Sequence, residues 1–143
     1  MPNRLQAQVS ICLQYNLDFV VSRAFITSTG RIVPKFAHLL PHRFLLLFLN
    51  PFIHGTLLVR TDSLLSVGCY NSFFKYAQDY DLFTRFFLAQ LNYRYMPTPL
   101  YSLSVHSQSV SSVHKLQQVS YSRKIRLVYF SQSMASFFSI FKN

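Results

Sequence analysis

The spacing of apolar residues changes period several times along the chain, and each change marks a predicted element. Leu5, Val9, Cys12 and Leu13 recur at helical spacing between Asn3, a suitable cap, and Asn16, a suitable stop, which predicts an amphipathic helix over 4–15. Residues 19–27 are β-branched and aromatic and run through Ser28-Thr29-Gly30 into a second extended piece at 31–33, the pattern of a hairpin. Over 36–49, Pro41 separates two apolar stretches, so short helical pieces ending before Pro51 are expected. Further on, 55–60 reads as a buried strand and 61–67 as a short helix, with Thr61 or Asp62 near its cap and Gly68 placed to end it in a left-handed conformation.

The clearest helix is 79–91, where Leu82, Phe83, Phe86, Phe87 and Leu91 form one face. Two strand-like pieces follow, 93–96 and 100–106, on either side of a Pro97-Thr98-Pro99 kink. In the second, Tyr101, Leu103 and Val105 alternate with Ser102, Ser104 and His106, which puts the histidine on a polar face. A serine-rich loop at 107–112, a basic helical region over 113–130 and a Ser- and Phe-rich tail at 134–141 complete the pattern. Without an internal repeat or a linker, this predicts one compact α/β unit, a mixed sheet with flanking helices.

At 143 residues the chain has the size of one domain, and a hydrophobic content of 50% with 17% aromatics excludes disorder. Cys12 and Cys69 belong to no Cys-x-x-Cys pair, which argues against a zinc ribbon, a redox motif or a disulfide scaffold and fits a reducing, cytoplasmic setting. The first residues, Met-Pro-Asn-Arg-Leu-Gln, lack the apolar core of a signal peptide, and the most apolar run, 44–49, falls far short of the roughly 20 residues that span a bilayer.

Charge narrows the partners further. Fourteen Lys and Arg residues against four Asp give a net +10, which favours nucleic acid, a phospholipid surface or a phosphorylated substrate. The cations are spread out apart from Arg123, Lys124 and Arg126, with no long basic arm to wrap nucleic acid, so nucleic acid is the least expected of the three. Interleaved with Tyr121, Ile125, Leu127 and Val128, that cluster reads either as a solvated helix face or as a basic helix lying peripherally on the inner face of a membrane. The pairs Phe137-Phe138 and Ile140-Phe141 would join such a surface, cover the core or pair with another chain.

There is no glutamate, and two of the four aspartates, Asp79 and Asp81, lie in Tyr76-Ala77-Gln78-Asp79-Tyr80-Asp81-Leu82-Phe83-Thr84-Arg85. An aspartate at the start of an apolar helix serves as a cap, an ion-pair partner or a general base. Asp81 stands four residues before Arg85, the spacing of a helical ion pair, which assigns both a supporting role. Asp79 can cap the helix, for about 1 kcal/mol, or face a cleft as a base; the two roles are compatible.

Several blocks in order carry a family likeness: Asn50-Pro51-Phe52-Ile53-His54-Gly55-Thr56, Val59-Arg60, Leu64, Val67-Gly68, Tyr70, the Asp79 segment, Pro99-Leu100-Tyr101, His106 and Ser109. Together they resemble the second half of family 2 glycosyltransferases, inverting enzymes of the nucleotide-sugar-binding GT-A fold. Pro2-Asn3-Arg4-Leu5-Gln6-Ala7-Gln8-Val9 looks like the helix that follows the metal-binding Asp-x-Asp motif in that family, and the hairpin at Gly30 falls where the family has one. The likeness covers residues 1–112 and leaves 113–143 as a basic helical C-terminal extension.

The resemblance implies a partial GT-A fold and transfer of a sugar from a nucleotide-diphosphate sugar to a glycan or lipid-linked acceptor, as in cell-surface polysaccharide biosynthesis. It makes Asp79 the base and puts His54, Gly55 and Gln78 on the acceptor side, the glycine permitting close approach of the backbone. It offers His106 as a ligand for Mn2+ or Mg2+, against the alternative of a half-buried strand residue satisfied by its neighbours. The first half of the fold, with the donor pocket and the Asp-x-Asp motif, would precede Met1. The isolated chain is therefore expected to be incomplete or inactive, with an open strand edge and an apolar face that favour self-association or pairing with an N-terminal half. Two rivals stand beside this reading: a non-catalytic remnant serving as a glycan-binding or scaffold module, and a basic protein that binds anionic membrane or nucleic acid.

Overall fold

The computed structural model describes residues 2–105 and 113–140. Its elements run α1 (Arg4–Gln14), β1 (Phe19–Ile26), β2 (Ile32–Val33), α2 (His42–Leu45), β3 (Leu58–Val59), α3 (Thr61–Ser66), α4 (Gln78–Leu88), β4 (Tyr93–Leu103) and α5 (Lys115–Ile140), with 3₁₀ turns at Ala37–Leu39, His54–Thr56 and Ser72–Phe74. The result is a mixed α/β protein with a four-stranded mixed sheet and flanking helices.

Strand β1 is the axis of the sheet. Phe19, Val20, Val21, Ser22 and Ala24 are fully buried, so this strand has apolar or hydrogen-bonded cover on both faces. Strand β4 runs parallel to it along its whole length, from Phe19 opposite Tyr93 to Ile26 opposite Leu103. That leaves the other edge to be shared: antiparallel β3 pairs at Phe19 and Val20, and antiparallel β2 at Ala24 and Phe25. Between them the ladder is continued by a side chain. The Thr56 hydroxyl accepts from the Ser22 N–H at 3.1 Å and donates to the Ile53 carbonyl at 2.8 Å, so the backbone donor of a buried residue is satisfied without a strand. This is why 55–60, expected as a buried strand, is only a two-residue, half-buried strand preceded by a tight turn.

The parity of β1 divides the core. On one face Phe19 and Val21 meet α4 and α5, with Phe52, Leu82, Phe83, Phe86, Ile125 and Tyr129 in one buried cluster. Phe19 stacks on Tyr93 at 5.1 Å and lies 4.8 Å from Phe86. The face of α4 read from the sequence is the face that is buried, and each such side chain stabilises by roughly 1.5–3 kcal/mol. Ile125 and Tyr129 make α5 part of this same core, and α5 runs unbroken through the position where a helical region and a separate tail were expected.

On the other face Val20 meets α1 through Cys12, Leu17 and Met96. Here the helix is turned against its apolar pattern. Leu5 is 61% and Leu13 68% exposed, while Gln8 is fully buried. The Gln8 amide donates to the Thr56 carbonyl at 2.7 Å and the Val20 carbonyl at 3.4 Å, and its oxygen accepts from Arg4 at 2.9 Å. The polar demand of the short β3 edge thus overrides most of the hydrophobic stripe: Leu5, Val9 and Leu13 face water and Cys12 alone of the four is buried. Asn3 starts α1 without a side-chain cap.

Three helices end alike. After α1, α3 and α4 the chain turns through a left-handed residue, Asn16, Gly68 and Gln90, and in each case the next N–H reaches back to the helix: Leu17 to Cys12, Cys69 to Leu64 and Leu91 to Phe86. Asn16 and Gly68 carry the sequence signal for this turn, whereas Gln90 does not. At the far end of the sheet, the predicted Pro97-Thr98-Pro99 kink is two register shifts within one continuous β4, where Met96 faces Ser22 and Pro99 already faces Arg23. Replacing Gln8 by Ala, which orphans two buried carbonyls and opens a cavity, is expected to cost about 2–3 kcal/mol in urea unfolding, while Leu5→Ala stays within about 0.5 kcal/mol.

Candidate functional site

Helix α4 begins at Gln78 with Ala77 as its cap residue and no side-chain cap, so Asp79 sits inside the first turn and is free of the capping role. Its carboxylate is half-buried and accepts from the Asn50 amide at 3.0 Å. Asn50 can present only its NH2 group there, because its oxygen already accepts from the Phe52 N–H at 3.1 Å. The carboxylate lines a cavity formed by Phe48, Leu49, Asn50 and Tyr80 on one side and by Gln118, Val119, Ser122 and Arg126 of α5 on the other. Tyr80 is fixed by donating to the Leu46 carbonyl at 2.6 Å, with burial pushing its phenol up to about 12.

The remaining aspartates are spent on structure or lie in water. Asp81 is buried and pairs with Arg85 at 2.9 and 2.7 Å, the pair its spacing predicts, and Arg85 also donates to the Val67 carbonyl, tying α4 to the end of α3. Asp18 accepts from the Ser63 hydroxyl at 2.6 Å and the Asn92 N–H at 2.8 Å, joining α3 and β4 to the start of β1. Asp62 is exposed in the first turn of α3.

Of the residues proposed for the acceptor side, His54 is exposed and shares a 2.8 Å hydrogen bond with the Tyr70 hydroxyl. Tyr70 is raised above its ordinary value by burial and, second, by the charge of Asp79. Sequence reasoning gives Tyr70 and Asn50 no chemical role; neither carries a local signal, since Asn50 meets Asp79, and Tyr70 meets His54, only through the fold. Gln78 is exposed at the start of α4. The space beside Gly55 is taken by the Tyr101 ring, whose atoms would stand 2.7–2.9 Å from an added Cβ, with the Arg4 guanidinium 5.5 Å from the centre of that ring. Gly55 thus lets the His54–Thr56 turn pack closely on β4. His106, with Ser109 and the loop 107–112, lies outside the described residues.

Among the described residues, no three His, Cys, Asp or Glu side chains come together to hold a metal ion. No helix among them is long and apolar enough to cross a membrane. Comparison with protein-family models, curated proteins and solved structures found no match.

A second polar cluster lies under α2. His42 is buried, with Nδ1 2.7 Å from the Tyr93 hydroxyl and its ring stacked on Tyr95 at 5.2 Å, while its Nε2 and the Tyr95 hydroxyl have no hydrogen-bond partner among the described residues. Burial lowers the His42 pKa, the Ala37 carbonyl opposes this, and the charge of His38 lowers it further. The unfolded chain takes up this proton near pH 6.5 and the folded chain only below that. Stability from His42 is therefore complete above about pH 6.5 and lost as the pH falls from there toward the folded value. The melting temperature is expected to drop between about pH 7.5 and about pH 5.5, and His42→Phe to flatten that slope.

Proposed function

We propose that this chain is the acceptor-side half of a family 2-like, inverting glycosyltransferase of the GT-A type, moving a sugar from a nucleotide-diphosphate sugar to a glycan or lipid-linked acceptor, with Asp79 as the base. The observation that carries this reading is the state of Asp79. Asp79 lines a cavity, and among the described residues it has an amide partner in place of a cation. A carboxylate held this way keeps acceptor capacity for a hydroxyl proton.

In that reaction the acceptor hydroxyl hydrogen-bonds to Asp79 and its oxygen attacks the anomeric carbon from the face opposite the leaving group. The O–H proton passes to the carboxylate, the bond from the anomeric carbon to the diphosphate oxygen breaks with its electron pair, and the configuration inverts. Asn50 fixes the carboxylate on the cavity side, and position accounts for more of the rate than basicity does. His54, exposed and bonded to Tyr70, and Gln78, exposed at the start of α4, are the groups assigned to the acceptor.

One observation favours a second reading. Gln118, Val119 and Ser122 of α5 wall the Asp79 cavity, which suits a module that holds a glycan without turning it over. Incubating the chain with uridine, guanosine and thymidine diphosphate sugars, manganese and candidate acceptors separates the two. Transfer detected by mass spectrometry, by the chain alone or once a donor-binding half is supplied, should fall about a hundredfold or more in Asp79→Asn at unchanged melting temperature, with Asp62→Asn active. Acceptor binding without transfer, indifferent to Asp79→Asn, would select the binding module. A folded chain that binds neither donor nor acceptor would end both readings.

A further inference from the structure

Helix α2 and the turns after it lie against α5, and together they expose apolar side chains in one place. Phe44 and Phe48 are one helical turn apart and are 66% and 68% exposed. Phe48 lines a shallow groove with Leu47, Leu127 and Phe130, and Leu127 is 72% exposed. Arg123 and Arg126 complete the groove. Arg126 is fixed by donating to the Phe48 carbonyl at 2.7 Å, and Arg43, beside Phe44, by donating to the Phe87 carbonyl at 3.0 Å. Aromatic and aliphatic groups that protrude, rimmed by cations whose positions are fixed, make a surface that prefers an interface between hydrocarbon and negative charge.

We propose that this face docks on an anionic phospholipid bilayer, the apolar side chains entering the headgroup layer and the arginines meeting lipid phosphates. The inference stands apart from the proposed transfer. Charge selects this occupant. The net charge is +10, Asp81 and Asp18 are engaged within the fold, Asp79 lines its own cavity, and that leaves Asp62 on α3 as the one exposed aspartate of the four. A second copy would therefore bring arginines against arginines with little acid to offset them, whereas a lipid surface supplies a field of negative charge.

The chain has no tryptophan, so Phe48→Trp places a single reporter on the face without background. With vesicles of phosphatidylcholine doped with phosphatidylglycerol, the expected results are co-sedimentation, a blue shift of the indole emission and its quenching by brominated lipid, all weakening as salt rises. Phe44→Ser with Leu127→Ser, or Arg123→Glu, should each reduce binding about tenfold or more. Leu5→Ser, on the opposite side of the sheet, should leave it unchanged. Because the replaced side chains are exposed, a cooperative melt is expected in every variant. The proposal is overturned if the folded chain ignores anionic vesicles, if the indole reporter stays in water while binding persists, or if Leu5→Ser weakens binding as much as the face variants do. It is also overturned if lipid-free ultracentrifugation shows a dimer that Phe44→Ser with Leu127→Ser dissociates, which would give the face to a second copy.

Discussion

Strand β1 is fully buried from Phe19 to Ser22 and again at Ala24, with a neighbour on each edge, and most of the architecture follows from satisfying those sides. A strand so enclosed must find a partner for every N–H and C=O it carries, because a buried orphan costs as much as several ordinary contacts supply. Strand β4 meets one edge in full. The other edge is met piecewise by β3, by the Thr56 hydroxyl and by β2, and the carbonyls turned toward α1 are met by Gln8. The aromatic cluster above Phe19 then has a rigid floor, and α4 and α5 are held on it by Phe83, Phe86, Ile125 and Tyr129.

This explains which parts were legible in the sequence. Burial decides where one face of an element is wholly apolar, as in α4, and the periodicity of Leu82, Phe83, Phe86 and Phe87 reads directly. Left-handed stops read where Gly68 and Asn16 mark them and go unread at Gln90, where tertiary packing imposes the same turn on an ordinary residue. The α1 stripe misleads because hydrophobic periodicity reports an apolar face and is silent about what lies opposite; a sheet edge with unpaired carbonyls recruits Gln8 ahead of Leu5. The site divides the same way. Asp81 with Arg85 is a local pair and is visible in the spacing, but Asn50 and Asp79, 29 residues apart, meet through the fold alone.

The scarcity of acids sharpens the contrast between Asp79 and the rest. Asp81 is paired with the Arg85 cation, and Asp18 has both oxygens bonded, one to the Ser63 hydroxyl and the other to the Asn92 N–H. Asp79 is held instead by a neutral amide whose orientation is dictated by the Phe52 N–H. Neutral fixation sets the position of a carboxylate without cancelling its charge, which is what a proton acceptor requires and a structural ion pair does not.

Phe48 and Arg126 link the two faces considered above, since both line the Asp79 cavity and both line the apolar groove beside it. Arg126 is bonded to the Phe48 carbonyl, so the wall between cavity and groove is a fixed element of the fold. A bilayer seated on the groove would bring the cavity to the headgroup level, and an acceptor carried on a lipid phosphate could then approach Asp79 without leaving the membrane. A soluble glycan would have no need of that neighbourhood. If both proposals hold, the adjacency therefore favours the lipid-linked class of acceptor, and it does so through a shared wall of two residues.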